Sequence, residues 1–474
     1  MPSIRERLIA YFQAYQPESA NAGWRDRALR CAIQTGCVAV GLYYRILRAV
    51  AWIGAALCAP GSSAGPRRLQ TFDRRESADS VTDDGSPRIR CAVLVDEYFS
   101  NNLPSGNGKG GYGIIAKNYL ARYIPSPSIE LETIIGFSES DDLEVIVGDH
   151  GDRILFLPAN KPRNQAKTRQ ILDSYDVFLS LEFQSIANYV MRRTTWQKLV
   201  FWIQAPRTAA DWRELDTVSI RKQVGYRPNP LTQSVMNWLF RGNRLVAITQ
   251  AIYLVDKARE LYDLPSSFSA ALVPNPIEPA DVSEVDLARK ENIILALGRL
   301  DSVKRPWIIG EVAKTLPEYK FLFLGQSHDA SLDQLMTPYF ELANVQRLGQ
   351  VEGERKIDLL RRSKLLINTS IHEGVPVSFL EALSYGVLLV SNRNPDDLTA
   401  RFGYWTGQVN GDGFDAVDRF CSGVRELLAD DAARVVLARE AVDYIAESHS
   451  IEGFQREVRR IIEASVSPRV LRRA

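Results

Sequence analysis

From residue 91 onward the chain alternates short apolar, β-branched runs with stretches of helical period. The first series runs CAVLV (91–95), LETII (131–135), RILFL (153–157), DVFLS (176–180), KLVFWI (198–203), RLVAI (244–248) and AALV (270–273), with a helical pattern over 111–123 after the first run. Near-continuous apolar runs of this length suit strands buried on both faces. Helical stretches between them supply the covers, so the order predicts βαβ units and a parallel sheet.

A turn-rich segment, PNPIEPADVSE (274–284), interrupts the pattern, and a second series follows: NIILALG (292–298), KFLFLG (320–325), NVQRLG (344–349), KLLIN (364–368) and VLLVS (387–391). Two such series predict two α/β domains, 89–278 and 279–450, each a Rossmann-like doubly wound parallel sheet, facing each other across a cleft. Open sheets of this kind bind ligands beyond the carboxyl ends of their strands. Residues 451–463 have an amphipathic helical pattern, so 451–474 is expected to be a terminal helix with a basic tail.

The first ninety residues differ. Over 27–59 the chain is rich in aliphatic and aromatic residues, but Arg45 and Arg48 leave apolar runs of about 12 to 14 residues, too short to span a bilayer. At about 100° per residue, Arg27, Arg30, Gln34, Arg45 and Arg48 gather on one side of a helix, within roughly 60° of one another. With Tyr43, Tyr44 and Trp52, this N-terminal amphipathic segment (1–60) is expected to lie on an anionic membrane surface; packing against protein is the alternative. The apolar stretch starts far from Met1 and lacks a basic start, unlike a secretory signal. Residues 61–88, rich in Gly, Ser, Asp, Arg and Pro, cannot form a core and read as a disordered linker.

Length and composition agree with two domains plus extensions: 474 residues, 45% hydrophobic, 24% charged, net charge +1. So balanced a charge does not suggest nucleic acid as a partner. Five scattered cysteines (Cys31, Cys37, Cys58, Cys91, Cys421) without a CxxC pair point to a reducing, cytoplasmic setting, with the inner membrane face as the place of any peripheral attachment. The four histidines have no zinc-binding spacing, and no metal is expected.

The candidate chemistry concentrates in the second series. Its first strand ends in Gly298-Arg299-Leu300-Asp301-Ser302-Val303-Lys304-Arg305-Pro306, with Lys304 expected in the first turn of a helix. Two cations so placed suit a diphosphate, because a helix N-terminus is already positive and welcomes an anion. KLLIN leads into Thr369-Ser370-Ile371-His372-Glu373-Gly374-Val375-Pro376, with Glu381 further along the following helix. Eight positions on one helix are about 12 Å, too far for paired carboxylates at a single scissile bond, so the two acids must contact different parts of a long ligand.

These elements resemble the retaining family 4 glycosyltransferases: Glu373 to Glu381 matches their Glu-x7-Glu motif, and Arg299 with Lys304 matches their GR-L-x-x-x-K element. The resemblance implies the GT-B architecture over residues 89–460 and a nucleoside diphosphate sugar as donor. It further implies that Arg299, Lys304 and Glu373 are catalytic and that Gly298, Arg299, Lys304, Gly349, Glu373, Gly374, Val375 and Glu381 bind the donor. The two cations would hold the diphosphate, Glu373 the sugar and Glu381 the ribose hydroxyls, with no metal or other cofactor. Retention would follow from front-face attack, without a protein nucleophile.

In the first domain, similar enzymes carry a Gly-Gly loop facing the donor, here Gly110 and Gly111; a purely conformational role is the alternative. The spacing from the strand end near Val95 is too long for a dinucleotide fingerprint. Where many relatives have a histidine after a central strand, this chain has Gln204, which can donate to a hydroxyl but cannot take a proton. Gln204, Arg207 and Asp96 are the acceptor-side candidates. Asp96 and its neighbour Glu97 would meet either an acceptor hydroxyl or the glycine loop. His372 reads as a polar neighbour of Glu373 rather than a catalyst. Trp196, Trp202, Trp212 and Trp238 suit core packing better than sugar stacking.

The resulting expectation is glycosyl transfer from a nucleotide sugar to a glycan or lipid-linked acceptor, with retention, in polysaccharide or glycoconjugate assembly. The alternatives are a GT-B nucleotide-sugar epimerase or hydrolase, or a silent membrane-attached binding subunit. The intact set Arg299, Lys304, Glu373 and Glu381 weighs against the last.

Overall fold

The computed structural model describes residues 88–98, 111–220, 230–278, 285–327 and 329–466, all within the compact unit Ala78–Ala474. The amphipathic segment expected over 27–59, Gly110 and the basic tail lie outside the described residues. Within them, no helix is long and apolar enough to cross a membrane.

Among the described residues, fourteen strands form two sheets. The first holds β1 (Ile89–Leu94), β2 (Ile129–Phe137), β3 (Glu144–Val147), β4 (Arg153–Leu157), β5 (Val177–Leu181), β6 (Lys198–Ile203), β7 (Leu245–Thr249) and β8 (Ala271–Leu272). Their order is β3-β4-β2-β1-β5-β6-β7-β8, parallel throughout except for the antiparallel edge β3. The second holds β9 (Glu291–Leu297), β10 (Lys320–Leu324), β11 (Val345–Gly349), β12 (Ser363–Asn368), β13 (Leu388–Ser391) and β14 (Gly403–Trp405). Its order, β11-β10-β9-β12-β13-β14, is wholly parallel and doubly wound. The order reverses between β9 and β12, and there a doubly wound sheet opens a crevice at its carboxyl edge.

The apolar runs behave as strands covered on both sides. In β6, Leu199, Phe201 and Ile203 enter one core while Val200 and Trp202 enter the other. Successive side chains of a strand point to opposite faces, so a run must be apolar throughout when both faces are covered. Part of one cover is the terminal helix Ile451–Ser465, whose Phe454, Val458, Ile461 and Ile462 pack into the core of the first sheet. Phe454 stacks on Trp202 with centroids 5.5 Å apart. Arg459 donates to the backbone carbonyls of Tyr123, Ile124 and Pro125 at 2.7–3.1 Å, which fixes the helix on that side.

Two strands escape the pattern. The edge strand β3 is largely exposed, with only the three apolar residues Val145, Ile146 and Val147, and β14 is three residues long, so both fall short of the runs read as strands. The helical pattern over 111–123 contains a break in period: Gly111–Ile115 is α-helical and Ala116–Ala121 is a π-turn, a departure often found near functional sites.

The expected place of Lys304 is corrected. The helix begins at Pro306, and Arg305 precedes it in the left-handed region at φ +46°, so Lys304 lies in the turn before the helix. Proline lacks an N–H and fits the first helical position, which sets the start there. Trp202 and Trp212 are buried, Trp196 is half-buried, and Trp238 is 40% exposed beneath Arg244. Cys91 and Cys421 are buried and unpaired.

Candidate functional site

At the carboxyl edge of the second sheet the backbone itself shapes the crevice. β9 ends at Gly298 (φ +141°) and β10 at Gly325 (φ +155°), and a Cβ on Gly325 would lie 1.8 Å from the Gly298 carbonyl oxygen. Gly325 therefore admits no side chain against the Gly298 backbone, whereas at Gly298 it is the backbone angle that calls for glycine. Gly349, at the end of β11, accepts the Gly325 amide at 2.7 Å and continues the row. The crevice beside it is lined by Gly298, Arg299, Lys304, Asn368, Thr369 and Ser370.

Asp301 shapes the turn that carries the cations. Its carboxylate accepts the Lys304 amide at 3.0 Å and lies 3.6 Å from the Arg299 guanidinium. An aspartate bonding to the backbone three residues on holds a turn closed without a helix. Arg299 is 57% exposed and reaches into the opening. Lys304 turns inward, and its Nζ donates to Glu373 Oε1.

Glu373 follows β12, on the loop before the helix Val377–Ser384. Burial pushes its carboxyl up, but the Lys304 charge and hydrogen bond outweigh burial and hold it below the usual carboxylate range. Glu381 lies on the helix and pairs with a different cation, Lys356 of the helix Gly353–Arg362, at 2.6 Å. The two acids thus have separate cationic partners. Glu381 is also close enough to the first domain for its charge to push up the Tyr119 phenol, after burial.

Gly374 and Val375 complete the loop. Val375 is buried, and a Cβ on Gly374 would come within 2.2 Å of the Gln204 carbonyl oxygen and 2.7 Å of Gln250 Nε2, both in the first domain. The loop therefore needs glycine for close approach between domains, at an ordinary backbone angle.

The first domain faces this edge with Glu97, whose carboxylate accepts the amides of Tyr112 at 2.9 Å and Gly113 at 3.4 Å. Burial pushes the Glu97 carboxyl up, against the pull of those amides and of the Arg299 charge across the cleft. A Cβ on Gly111 would meet nothing within 4 Å, whereas one on Gly113 would press on the Glu97–Tyr98 backbone at 3.0–3.1 Å. Among the described residues the space beside Gly111 is thus open, and packing constrains Gly113.

Two acceptor-side candidates also make bonds within the first domain. The Asp96 carboxylate accepts the amides of Ser185 and Ile186 at 2.9 and 2.8 Å, capping the helix Ser185–Met191. Gln204 is buried, and both its amide atoms pair with the amide of Asn275, at 3.1 and 3.2 Å. Burial and this pairing with Asn275 hold its side chain within the first domain. Arg207 is half-buried with its guanidinium 5.5 Å from the Trp212 ring centre.

Other residues of the cleft carry no motif. Glu182, after β5, is buried in the left-handed region at φ +56°, and its carboxylate accepts the amides of Gln204 and Ala205 at 2.7 Å each. It fixes the chain where the first domain meets Gly374. Asp211 belongs to a capping box with Thr208 at the start of the helix Ala209–Leu215, and its carboxylate also takes Lys257 at 2.7 Å. The Thr-x-x-Asp spacing is the signal that marks this helix start. Glu182 and Lys356 have no comparable signal, because their partners come from distant segments.

Comparison with known proteins places this geometry. Residues 279–397 match the family model for glycosyl transferases group 1. The match lies within the second domain, from its start to just past β13. No curated protein matches the sequence. Among solved structures, sucrose-phosphate synthase from Thermosynechococcus elongatus is similar at TM-score 0.60 and 14% identity, over 80% of this chain and 99% of that one. The Anabaena protein HepE in complex with UDP is similar at 0.56 and 13%, over 79% and 100%. The pneumococcal O-GlcNAc transferase GtfA in complex with UDP and GlcNAc is similar at 0.55 and 12%, over 80% and 99%. The fold is GT-B. In GT-B terms, the crevice beside Gly298, Arg299 and Lys304 lies in the second of the two facing domains, and Glu97 and Gly111 lie in the first.

Proposed function

We propose that this chain transfers a glycosyl group from a nucleoside diphosphate sugar to a hydroxyl of a glycan or lipid-linked acceptor, with retention. The observation that carries the reading is the contact of Lys304 with Glu373 beside the exposed Arg299, at the point where the strand order of the second sheet reverses. A diphosphate bound there meets two cations, and the carboxylate beside them is ionised and able to accept from sugar hydroxyls.

In the reaction, the bond between the anomeric carbon and the diphosphate oxygen breaks and a bond to the acceptor oxygen forms. Negative charge grows on the departing diphosphate, and Arg299 and Lys304 stabilise it from fixed positions, the largest kind of catalytic effect such a site can supply. The acceptor proton passes to the departing diphosphate oxygen on the same face, so no protein base is required; retention rests on the resemblance to family 4 enzymes. Glu373 orients the sugar, and Glu381 accepts from the ribose hydroxyls while Lys356 shares its charge. The two cations neutralise the diphosphate without a divalent metal. The complexes of HepE and GtfA with UDP favour uridine as the base to try first. The amphipathic segment 27–59 would bring the site to a membrane surface, where a lipid-linked acceptor resides.

Thermal-shift screening of the full chain against UDP-, GDP-, ADP- and dTDP-linked sugars, followed by product analysis with the hits, tests the reading. A stabilising nucleotide sugar whose glycosyl group passes to an acceptor supports it. Stabilisation by none of them would contradict it. Within the same assay, Glu381→Ala should weaken the shift given by the free nucleoside diphosphate.

A further inference from the structure

The loop carrying Glu373 does not stand free on the second domain. His372, the residue before Glu373, is 6% exposed and places its Nδ1 3.4 Å from Asp211 Oδ1, on the first-domain helix Ala209–Leu215. Gly374, the residue after, rests on the Gln204 carbonyl. Asp211 is itself held, by the amide and hydroxyl of Thr208 and by Lys257. The same helix and its following turn make further crossings: Glu214 pairs with Arg393 at 2.6 Å, Thr217 accepts the Gly411 amide at 3.0 Å, and Asp412 accepts the Ser219 and Ile220 amides at 2.8 and 3.1 Å.

We propose that His372 is a positioning residue for Glu373, which it holds in place by contact with Asp211 only when the two domains are together. This rests on the reading of Glu373 as a donor-binding group. The first domain grips the loop on both sides of Glu373, so a small separation of the domains releases the carboxylate and takes it from Lys304, while the turn that Asp301 closes within the second domain keeps its place. Burial pushes the His372 imidazole below its usual range, with Arg207 and Lys257 adding to that and Asp211 opposing it. A neutral ring with its proton on Nδ1 donates to Asp211, which fits the contact. The backbone on either side of Glu373 is then tied to the partner domain, and its carboxylate faces Lys304.

The test compares the full-length wild type with His372→Ala and His372→Asn by two readouts. Hydrogen exchange of amides 371–375, with and without UDP, reports the loop; steady-state cleavage of the best nucleotide sugar reports turnover. His372→Ala should exchange the loop at least tenfold faster and lower kcat at least tenfold, with donor KM within threefold of wild type. His372→Asn, which keeps a donor for Asp211, should restore most of both. Wild-type exchange in His372→Ala would overturn the proposal, as would kcat within twofold of wild type. If the wild type cleaves no nucleotide sugar, the functional reading fails, and the exchange arm still decides whether His372 positions the loop.

Discussion

Lys304 and Glu373 lie 69 residues apart in sequence, and they meet as an ion pair with side chains only 25% and 13% exposed. A lysine from the turn after β9 and a glutamate from the loop after β12 are brought together because those two strands are neighbours at the reversal of the sheet. Removing one partner leaves the other half-buried without its counter-charge. Glu373→Gln should therefore lower donor turnover by about 100-fold, the effect of losing one oriented polar group at a reacting centre. Steady-state kinetics on the folded variant checks this; turnover within threefold of wild type would refute the role of Glu373.

The contact of Gly374 with Gln204 gives a steric prediction. A methyl group placed 2.2 Å from a carbonyl oxygen must push backbone against backbone, since no flexible side-chain end can yield. Gly374→Ala should shift the Glu373 loop relative to the first domain and cost about 10- to 100-fold in turnover, in line with displacements near 1 Å at a reacting centre. Its melting temperature should fall much less than its activity. An active Gly374→Ala variant would mean that the two domains are farther apart in the working enzyme.

Much of this fold is written in the apolar runs. RILFL and KLVFWI coincide with β4 and β6 because parallel strands covered on both faces must be apolar at every position. EVIV and GYW make β3 and β14 with at most three apolar residues in a row, one exposed at an edge and the other only three residues long, which is too short a run to stand out. Local spacing brought out Arg299, Lys304, Glu373 and Glu381, but it placed Lys304 inside a helix that starts two residues later. The first domain's share was poorly legible: Gln204 is absorbed by Asn275 and Asp96 by a helix terminus, and each partner lies 71 or more residues away. A motif records neighbours along the chain, whereas the seam through Asp211, Glu214 and Asp412 depends on how two separate domains pack.

The terminal helix should matter for stability more than for chemistry. Phe454 is 3% exposed, stacked on the fully buried Trp202. Truncating a buried phenylalanine leaves a cavity, so Phe454→Ala should cost about 3–5 kcal/mol of the first domain's stability. Urea unfolding followed by tryptophan fluorescence measures this. A loss below about 1 kcal/mol, the range of surface substitutions, would show that the helix is not an integral cover of that sheet.

Asp211 supplies a pH dependence with a definite sign. Burial raises its carboxyl, but His372 and Lys257 together hold it well below its ordinary value. A depressed carboxylate adds stability above the unfolded pKa, about 3.9, and loses it as pH falls through the folded value. Wild type should therefore exceed Asp211→Asn in melting temperature at pH 7, with a gap worth about 1.5–3 kcal/mol, the usual worth of hydrogen bonds to a charged group. The gap should hold down to about pH 5 and shrink below about pH 4, where the unfolded chain begins to take up the proton. Thermal melts of both proteins from pH 7 to pH 3 check the sign; a gap that widens in acid would contradict it.

The central claim is that Arg299 and Lys304 grip the diphosphate of a nucleotide sugar. Calorimetric titration of the full chain with UDP, GDP, ADP and dTDP tests it most directly, comparing wild type with the Arg299→Ala/Lys304→Ala double variant. At least one nucleotide should bind the wild type, with an affinity reduced 100-fold or more in the folded double variant. Equal affinity in the two proteins, or no binding of any of the four to the wild type, would contradict the account.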